Sequence, residues 1–265
     1  MNNKKIIIIL AIVILVLTVA ILIYAMDFYP AVIIGTSWIS ASDWNQGLGL
    51  AQKLEPSLSN QQIFDQMIKV KKEQELLSKL KVIYDTSVFI DESKFYATGK
   101  NEEYNTLIKD YFNSDSSLFL KYVVAPEVYD SLLRIKYNSL LDLNLNEYNR
   151  ATNILSRINN GEAFEQLAKT ESDDKVTGQL GGDLGFVTAG LLLPELDKAM
   201  ISSPLGHVKP EIVVSRLGYH ILYPVETANK DSQKLWHVKH ILIKTIGYDS
   251  WLNSNLSRIW VWRIK

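Results

Sequence analysis

Two polar side chains near the end of the chain have the spacing of a small hydrogen-bonding site on a strand. His220 stands in the run Gly-Tyr-His-Ile-Leu (218–222), and Ser215 lies just before it. Strand alternation places His220 and Leu222 on one face and Tyr219 on the other. The Ser215 hydroxyl can orient an imidazole by hydrogen bonding. Because a lone strand histidine is more often structural than catalytic, these two residues alone define no activity.

Composition excludes several kinds of chemistry. The chain has no cysteine, so it has no disulfide, no thiolate nucleophile and no lipid-carrying cysteine. Its net charge of −1 gives no basic surface for nucleic acid. A glycine cluster at Gly181, Gly182 and Gly185 is not followed by Lys-Ser/Thr or by a helix start, which argues against a phosphate loop. We therefore interpret these glycines as residues with a conformational role in the backbone and not as ligands.

Four ordered blocks make the sequence more specific than any one of them. They are Gly-Gly-Asp-Leu-Gly-Phe (181–186), Leu-Leu-Pro-Glu-Leu (192–196), Pro-Leu-Gly-His-Val (204–208) and the Gly-Tyr-His-Ile-Leu run. Over residues 151–226 this set resembles the parvulin (PpiC-type) family of peptidyl-prolyl isomerases. The resemblance implies a small antiparallel sheet surrounded by helices, with no metal and no cofactor.

The implied reaction is rotation about an X–Pro bond, whose barrier of about 18–20 kcal/mol comes from amide resonance. A catalyst has to hold the proline ring in an apolar pocket and stabilise the twisted amide with hydrogen bonds. By resemblance the pocket residues are Leu184, Leu192 and Leu196, together with Ile201. The family often has Met and Phe where this chain has Leu192 and Leu196. Plain core packing is the alternative role for these leucines.

The resemblance also assigns the polar site. Asp174, in the Ser-Asp-Asp loop (172–174), falls at the family's Cys-or-Asp position, and Ser215 at its usual Thr position. Asp174 could polarise a histidine or repel the substrate carbonyl as the amide twists. A solvated loop carboxylate is the alternative. We expect His220, Asp174 and Ser215 to lie in the active site.

One family element is out of place. A parvulin normally begins with a strand reading roughly His-Ile-Leu-Val, but the segment before Asn146 has a helical pattern and no histidine. The missing strand is matched after the domain, at Trp-His-Val-Lys-His-Ile-Leu-Ile-Lys-Thr (236–245), with His240 at the histidine position. We predict that this segment pairs with the His220 strand, so that His240 joins the catalytic residues. A vestigial second repeat is the alternative.

The N-terminus carries an apolar segment at residues 5–25 with no charge after Lys5. About 20 apolar residues suffice to cross a hydrocarbon core of about 30 Å. Lys4 and Lys5 precede the segment, and the positive-inside rule then places the N-terminus in the cytoplasm. The run is longer than the apolar region of a signal peptide. We expect an uncleaved single-pass anchor in the cell membrane, with the bulk of the chain extracytoplasmic.

The rest of the chain is mainly helical in pattern, which gives an α+β protein overall. Residues 27–40 indicate a short strand leading into a helix capped by Ser42, and helical spacing dominates to residue 142. The layout resembles that of the helical chaperone region of PrsA- and SurA-type foldases. The expected division is a tip and anchor (1–26), a helical chaperone-like region (27–142), the parvulin domain (143–228), and a linker and C-terminal strand packing on that domain (229–265).

Together these features predict an extracytoplasmic prolyl isomerase that assists the folding of secreted proteins. The expected partners are proline-containing unfolded or extended polypeptides, with the membrane bound through residues 5–25. A non-catalytic, membrane-tethered holdase with a degraded site is the main alternative. A structural assembly module remains a third reading.

Overall fold

The computed structural model describes residues 3–25, 29–85, 87–89, 101–231 and 233–264. The expected anchor boundary at residues 26–27 lies outside these residues, as do the side chains of Lys4 and Lys5. The chain forms two compact units: the first comprises residues 1–76 and 254–265, and the second comprises residues 77–253.

The first unit takes its elements from both ends of the chain. In order they are helix α1 (Asn3–Ala25), strands β1 (Pro30–Ile34) and β2 (Ser37–Ser40), helices α2 (Ala41–Leu54) and α3 (Asn60–Lys79), and strand β7 (Val261–Arg263). Over the side chains that the structure describes, which in α1 are those of residues 12–23 and 25, no helix is both long enough and apolar enough to span a bilayer.

A three-stranded antiparallel sheet with the order β2-β1-β7 forms the core of this unit. One face is buried through Val32, Ile34 and Ile39. The expectation of one strand before α2 was thus incomplete, because β1 pairs with β2 and also with the C-terminal β7. The predicted cap Ser42 is also wrong: Ser40 caps α2 by accepting the Asp43 N–H at 3.0 Å.

The second unit begins with helices and continues into the sheet that carries the site. Its helices are α4 (Asn101–Phe112), α5 (Ser116–Phe119), α6 (Ala125–Asn138), α7 (Leu145–Asn159), α8 (Phe164–Glu171), α9 (Lys175–Gln179) and α10 (Pro194–Ser202). Helix α11 (Tyr248–Ser257) ends in the first unit. Pro126 lies in the first turn of α6, directly after a π-helical turn (Leu120–Val124) that joins α5 to α6.

The second sheet is antiparallel, with the order β3-β6-β5-β4. Its strands are β3 (Asp183–Val187), β4 (Val213–Ser215), β5 (Gly218–Lys230) and β6 (Gln233–Lys244). Residues 229–234, the start of the expected linker, belong mostly to the two strands, which pair out to Lys230 opposite Gln233. The chain therefore returns through a hairpin, because the paired backbones satisfy each other's donors and acceptors.

One face of the second sheet is covered by α7 and α8. Tyr219 and Ile221 of β5 and Ile241 and Ile243 of β6 pack there in one buried cluster with the apolar stripe of α7. The stripe consists of Ala151, Ile154 and Leu155, and Gly161, just past α7, has the positive φ that a C-terminal cap requires. The opposite face is left for the site.

Helix α6 is joined to this sheet by the buried side chain of Asn138. Its amide nitrogen donates to the Ser215 carbonyl at 2.7 Å, and its amide oxygen accepts from Thr245 at 2.6 Å. Its carbonyl accepts the Tyr219 hydroxyl at 2.6 Å. One residue thus holds the ends of three strand segments in position around the site.

The structure groups the C-terminus differently from the expected division. Residues 233–244 join the second sheet, but β7 pairs with β1 in the first unit. Residues 229–265 therefore do not act as one segment on the parvulin domain. The physical reason is that Val261–Arg263 supplies the backbone partners that the β1 edge otherwise lacks.

Candidate active site

The predicted pairing of the displaced strand is confirmed. β6 lies between β3 and β5, with His220 opposite Leu242 and Leu222 opposite His240. Residues directly opposite each other in adjacent strands point to the same face. His220 and His240 therefore lie on the face away from α7 and α8, and each was placed there by strand alternation in the sequence.

The two histidine rings form a stacked and hydrogen-bonded pair. Their centroids are 5.5 Å apart with an interplanar angle of 21°, and their Nδ1 atoms are 3.3 Å apart. Both side chains are buried, His220 completely. The sheet thus brings together two imidazoles that belong to different strands and to different motifs of the sequence.

Hydroxyl and carboxylate groups extend the pair at both ends. The Ser215 Oγ lies 2.8 Å from the His220 Nε2, and the His240 Nε2 lies 3.1 Å from the Asp174 Oδ2. Thr177, a residue that the sequence analysis did not single out, has its Oγ1 2.7 Å from that carboxylate and 3.0 Å from the same imidazole nitrogen. The result is a continuous chain from Ser215 to Asp174.

Burial sets the charge states in this chain. It lowers the pKa of His220 to about 3, with a further contribution from His240 and an opposing one from Asp174. Burial also lowers the pKa of His240, although Asp174 opposes the shift. Burial raises the pKa of Asp174, but hydrogen bonds from Thr177 and His240 outweigh it and hold that pKa below its usual value. At neutral pH both histidines are neutral and Asp174 is ionised.

These charge states fix the direction of every hydrogen bond. Ionised Asp174 only accepts, so the His240 Nε2 carries the proton and its Nδ1 is an acceptor. His220 must then donate from Nδ1 to His240 and accept at Nε2 from the Ser215 hydroxyl. The Ser215 oxygen also accepts the Leu217 N–H at 3.0 Å, which fits its role as a donor to the ring.

The loop that carries Asp174 is fastened to the edge of β6. The Asp173 N–H donates to the Leu242 carbonyl at 2.7 Å, and the Leu242 N–H donates to the Ser172 hydroxyl at 3.2 Å. Asp174 then caps α9 by accepting from the N–H groups of Val176 and Thr177. One carboxylate oxygen therefore holds the helix start while the other faces His240, so Asp174 is not a freely solvated loop residue.

Gly182 explains part of the glycine cluster. Its φ is +81°, and a Cβ atom there would lie 2.3 Å from the His240 carbonyl oxygen. The His240 N–H donates to the Gly182 carbonyl at 2.8 Å. Only glycine permits this approach, so Gly182 holds the His240 backbone in place.

An apolar cluster adjoins the histidines on the same face. Leu222 and Val238, which flank the histidines along β5 and β6, are buried in it with Met200 of α10. Leu184 and Leu192 are partly buried against the cluster, whereas Leu196 is only 4% exposed. The partly buried pair can still contact a ligand, and Leu196 mainly fills the core beneath them.

Ile201 does not join this cluster. It is 54% exposed, because Leu196, Ala199 and Met200 occupy the inward face of α10 and the next position points outward. Trp236, which no site prediction included, is buried in the cluster instead. Its position on the same face as Val238 and His240 could have been read from strand alternation once the strand was assigned.

The second unit also has a cavity of about 170 Å³ away from the histidines. It lies between α6 and the start of α10, and the histidine network contributes nothing to its lining, which is Val88, Val128, Ser131, Leu132, Ile135, Leu193, Pro194, Glu195 and Arg216. The hydrogen-bonded network from Ser215 to Asp174 and the candidate proline-binding leucines, Leu184 and Leu192, lie outside this cavity, on the face of the second sheet.

Comparison with known proteins identifies this domain. Residues 142–226 match the family model for the rotamase, or PPIC-type PPIase, domain. The foldase protein PrsA 2 of Bacillus anthracis is 33% identical over 102 residues, covering 38% of this chain and 35% of that protein. The chaperone SurA of Nitrosospira multiformis is 34% identical over 84 residues, covering 32% of this chain and 19% of that protein. The chain thus spans about a third or less of the length of these curated relatives.

Among solved structures, the crystal structure of the peptidylprolyl isomerase PrsA from Bacillus anthracis aligns with 72% of this chain and 86% of its own, at 21% identity and a TM-score of 0.27. The family assignment rests on the sequence matches. Residues 142–226 match a PpiC-type peptidyl-prolyl isomerase domain, and part of the chain is similar to PrsA foldases and SurA chaperones.

Proposed function

We propose that the chain is a membrane-anchored peptidyl-prolyl cis-trans isomerase that assists the folding of polypeptides outside the cytoplasm. The observation that carries the proposal is the pairing of β6 with β5, which sets His240 beside His220 and connects both to Asp174. Without that pairing the matched domain has only one of the two histidines.

The geometry supports isomerisation by desolvation and hydrogen bonding. A proline ring seated against Leu184 and Leu192 would remove water from the adjoining amide, and an amide without water loses part of its charge-separated resonance. The neutral histidines, with fixed hydrogen-bond directions, form a preorganised, buried polar network beside that position. Neither proton transfer to solvent nor a covalent intermediate is needed.

The proposed anchor is α1. Its sequence between Lys5 and Met26 is uncharged, and its described side chains from Ile12 to Ile23 include exposed large apolar residues all around the helix. A helix that is apolar on every side has to be covered by protein or by lipid. With Lys4 and Lys5 in the cytoplasm, residues from 27 onward would lie outside. Protease added to intact cells should then release a fragment close to residues 27–265.

The proposed partners are proline-containing unfolded or extended polypeptides. The names of the relatives, foldase and chaperone, support partners of that kind. Leu184 and Leu192 are only partly buried, so an extended chain can reach them without entering a closed cavity. We infer that secreted proteins are the clients, because the site would lie on the outer side of the membrane.

A second candidate function is that of a holdase without turnover. Leu192 and Leu196 stand where the family often has Met and Phe, and Leu196 is withdrawn into the core. The pocket then lacks an aromatic wall against which proline can pack. Such a surface could bind extended segments without stabilising the twisted amide.

An exchange assay separates the two functions. The full chain in detergent micelles is mixed with a set of X-Pro tetrapeptides, and cis–trans exchange is followed by NMR. An isomerase should accelerate exchange, and His240→Gln should lower kcat/KM about tenfold or more if the histidine acts on the transition state. His207→Gln, at an exposed histidine, is the matched control. No acceleration, with suppression of client aggregation intact, would favour the holdase.

A further inference from the structure

A row of large apolar side chains crosses the outer face of the first sheet. In β1, Ile33 lies directly opposite Trp38 of β2 on one side and Trp262 of β7 on the other. Directly opposed residues share a face. Val32, Ile34 and Ile39 fill the other face and are buried, so this row is turned away from the core.

The row is extended along the line of β7. Trp260 and Ile264 flank Trp262 at two-residue spacing, and both backbones are bonded to β1, through Gly35 N–H to the Trp260 carbonyl and Ile264 N–H to the Ala31 carbonyl. Trp38, Trp260, Trp262 and Ile264 are 57, 56, 62 and 41% exposed. We call Ile33, Trp38, Trp260, Trp262 and Ile264 the tryptophan face.

None of the five residues of the tryptophan face is charged. Arg263, the nearest basic residue along β7, lies opposite the buried Val32 and so points to the other side. Its guanidinium stands 3.7 Å from the centre of the Phe64 ring. Strand spacing gives the face a Cα frame of roughly 10 Å by 13 Å, with indoles projecting from it. A flat, uncharged surface of this composition requires a partner that is apolar on one side and wet on the other, because an indole has an apolar ring and a polar N–H.

The chain itself indicates which partner is within reach. Helix α1 ends at Ala25 and β1 begins at Pro30, so five Cα steps join them, a span of at most about 18 Å. If α1 is the anchor, the first sheet cannot leave the membrane surface by more than that span. Tryptophan is the residue that collects at the boundary between headgroups and acyl chains.

We propose that the tryptophan face lies in the interfacial layer of the bilayer, with its indoles at the level of the lipid headgroups. The proposal rests on the anchor included in the proposed function and adds a second, peripheral contact to it. The short tether gives this contact a high effective concentration, so a modest intrinsic affinity is sufficient. An unfolded client is the competing occupant, but it would have to reach a surface held against the lipid.

Fluorescence quenching tests the contact. The full chain is reconstituted into vesicles of phosphatidylcholine and phosphatidylglycerol (3:1) with plain or brominated acyl chains. Three of the six tryptophans lie on the face and none lies in α1, so brominated lipid should remove up to half of the emission. If the chain floats with the vesicles but its emission is unchanged by brominated lipid, the tryptophan face does not contact the bilayer, and the proposed anchor is unaffected. A chain that a carbonate wash strips from the vesicles would overturn both.

Two matched triple variants locate the effect. Replacing Trp38, Trp260 and Trp262 by Phe should abolish the quenching, whereas replacing Trp44, Trp236 and Trp251 by Phe should preserve it, with circular dichroism confirming both folds. Reduced, carboxymethylated ribonuclease A, which has no tryptophan, serves as the unfolded client. If this client shifts the emission of the reconstituted variant that keeps only Trp38, Trp260 and Trp262, and brominated lipid does not, the face binds clients and the membrane contact is wrong.

Discussion

The direction of the hydrogen bonds between Ser215 and Asp174 depends on a single charged group at one end. Asp174 is ionised and accepts, and each of the following groups has to orient accordingly. A buried polar chain of this kind is stable only when every member is paired. The residue-scale consequence is that small changes at either end should be detectable at the histidines.

Acidification should destabilise the fold through His220. Its pKa in the folded protein is about 3, below the ordinary value of 6.5, so between these values the unfolded chain binds more protons. Stability is therefore complete above about pH 6.5 and is lost as the pH falls towards 3, by up to about 1.4 kcal/mol per pH unit. The lowered pKa of His240 acts in the same direction. Urea unfolding at pH 7, 6, 5 and 4 measures the slope.

The variant His220→Gln should have a smaller slope over that range, because the proton-binding difference at this position is gone. His207→Gln, at an exposed histidine, should have the same slope as the wild type. Equal slopes in the wild type and in His220→Gln would mean that the buried ring does not drive the acid sensitivity.

Thr177 should hold down the pKa of the Asp174 carboxyl group. Its hydroxyl donates to the Asp174 Oδ2 at 2.7 Å, so Thr177→Val removes a hydrogen bond that favours the ionised form. We expect the pKa of Asp174 to rise in Thr177→Val and to be restored in Thr177→Ser. A carboxyl-carbon NMR titration measures it, with Asp142 of the same chain as an internal reference. If the pKa of Asp174 is the same in Thr177→Val as in the wild type, Thr177 does not belong to this hydrogen-bond network.

The sequence predicted His220, His240, Ser215 and Asp174 but not Thr177, for a physical reason. The first four follow from strand alternation and from family motifs, which are visible in the residues. Thr177 reaches Asp174 only because a short helix begins there and returns its third residue to the cap. A helix this short leaves no periodic signal.

At the scale of elements, β6 is the strand on which the second sheet depends. It pairs with β3 on one side and β5 on the other, and it contributes Ile241 and Ile243 to one buried cluster and Val238 to the other. The apolar helices were predictable because their stripes are long, and α7 matches its stripe closely. The first sheet was missed because β1, near the start of the chain, finds its partner β7 near the other end, and no local pattern reveals a pairing between such distant segments.

Two truncations should show what β6 contributes. A chain ending at Glu226 lacks β6, so the second sheet should lose cooperative unfolding and the dispersed amide signals of β3 and β5. A chain ending at Asn253 keeps the whole second unit and loses only β7 and the end of α11, so those signals should remain. Two-dimensional NMR of both chains in micelles makes the comparison. If the second sheet is well folded in the shorter chain, its stability does not depend on β6.

At the scale of the whole molecule, the displaced strand changes which contacts are local. In the usual parvulin order the first strand precedes the whole matched region (142–226), whereas here the strands of His220 and His240 follow each other directly. The central strand pair is thus a hairpin. The contact between His220 and Leu242 closes about 22 residues of chain here and would close roughly 80 with the strand before residue 142. This roughly fourfold shorter separation lowers the closure entropy cost by about 1 kcal/mol. The order of segments should therefore affect the folding rate more than the final structure.

A reordered chain tests this directly. Residues 233–245 are moved to precede Asp142. One flexible linker joins Leu141 to Gln233 and another joins Lys230 to Ile246, because each connection has to span the length of β6, roughly 40 Å. The second sheet and its histidine pair should form as before, but refolding should be roughly five- to tenfold slower, with the unfolding rate nearly unchanged, because only the loop closed before the transition state has lengthened. Stopped-flow refolding and unfolding in urea give both rates, followed by the fluorescence of Trp236 in chains whose other five tryptophans are replaced by Phe. The control carries the same linker inserted at the β5–β6 turn in the natural order. Equal refolding rates for the reordered chain and the control would show that the β5–β6 hairpin forms after the rate-limiting step, so that the strand order affects neither speed nor structure.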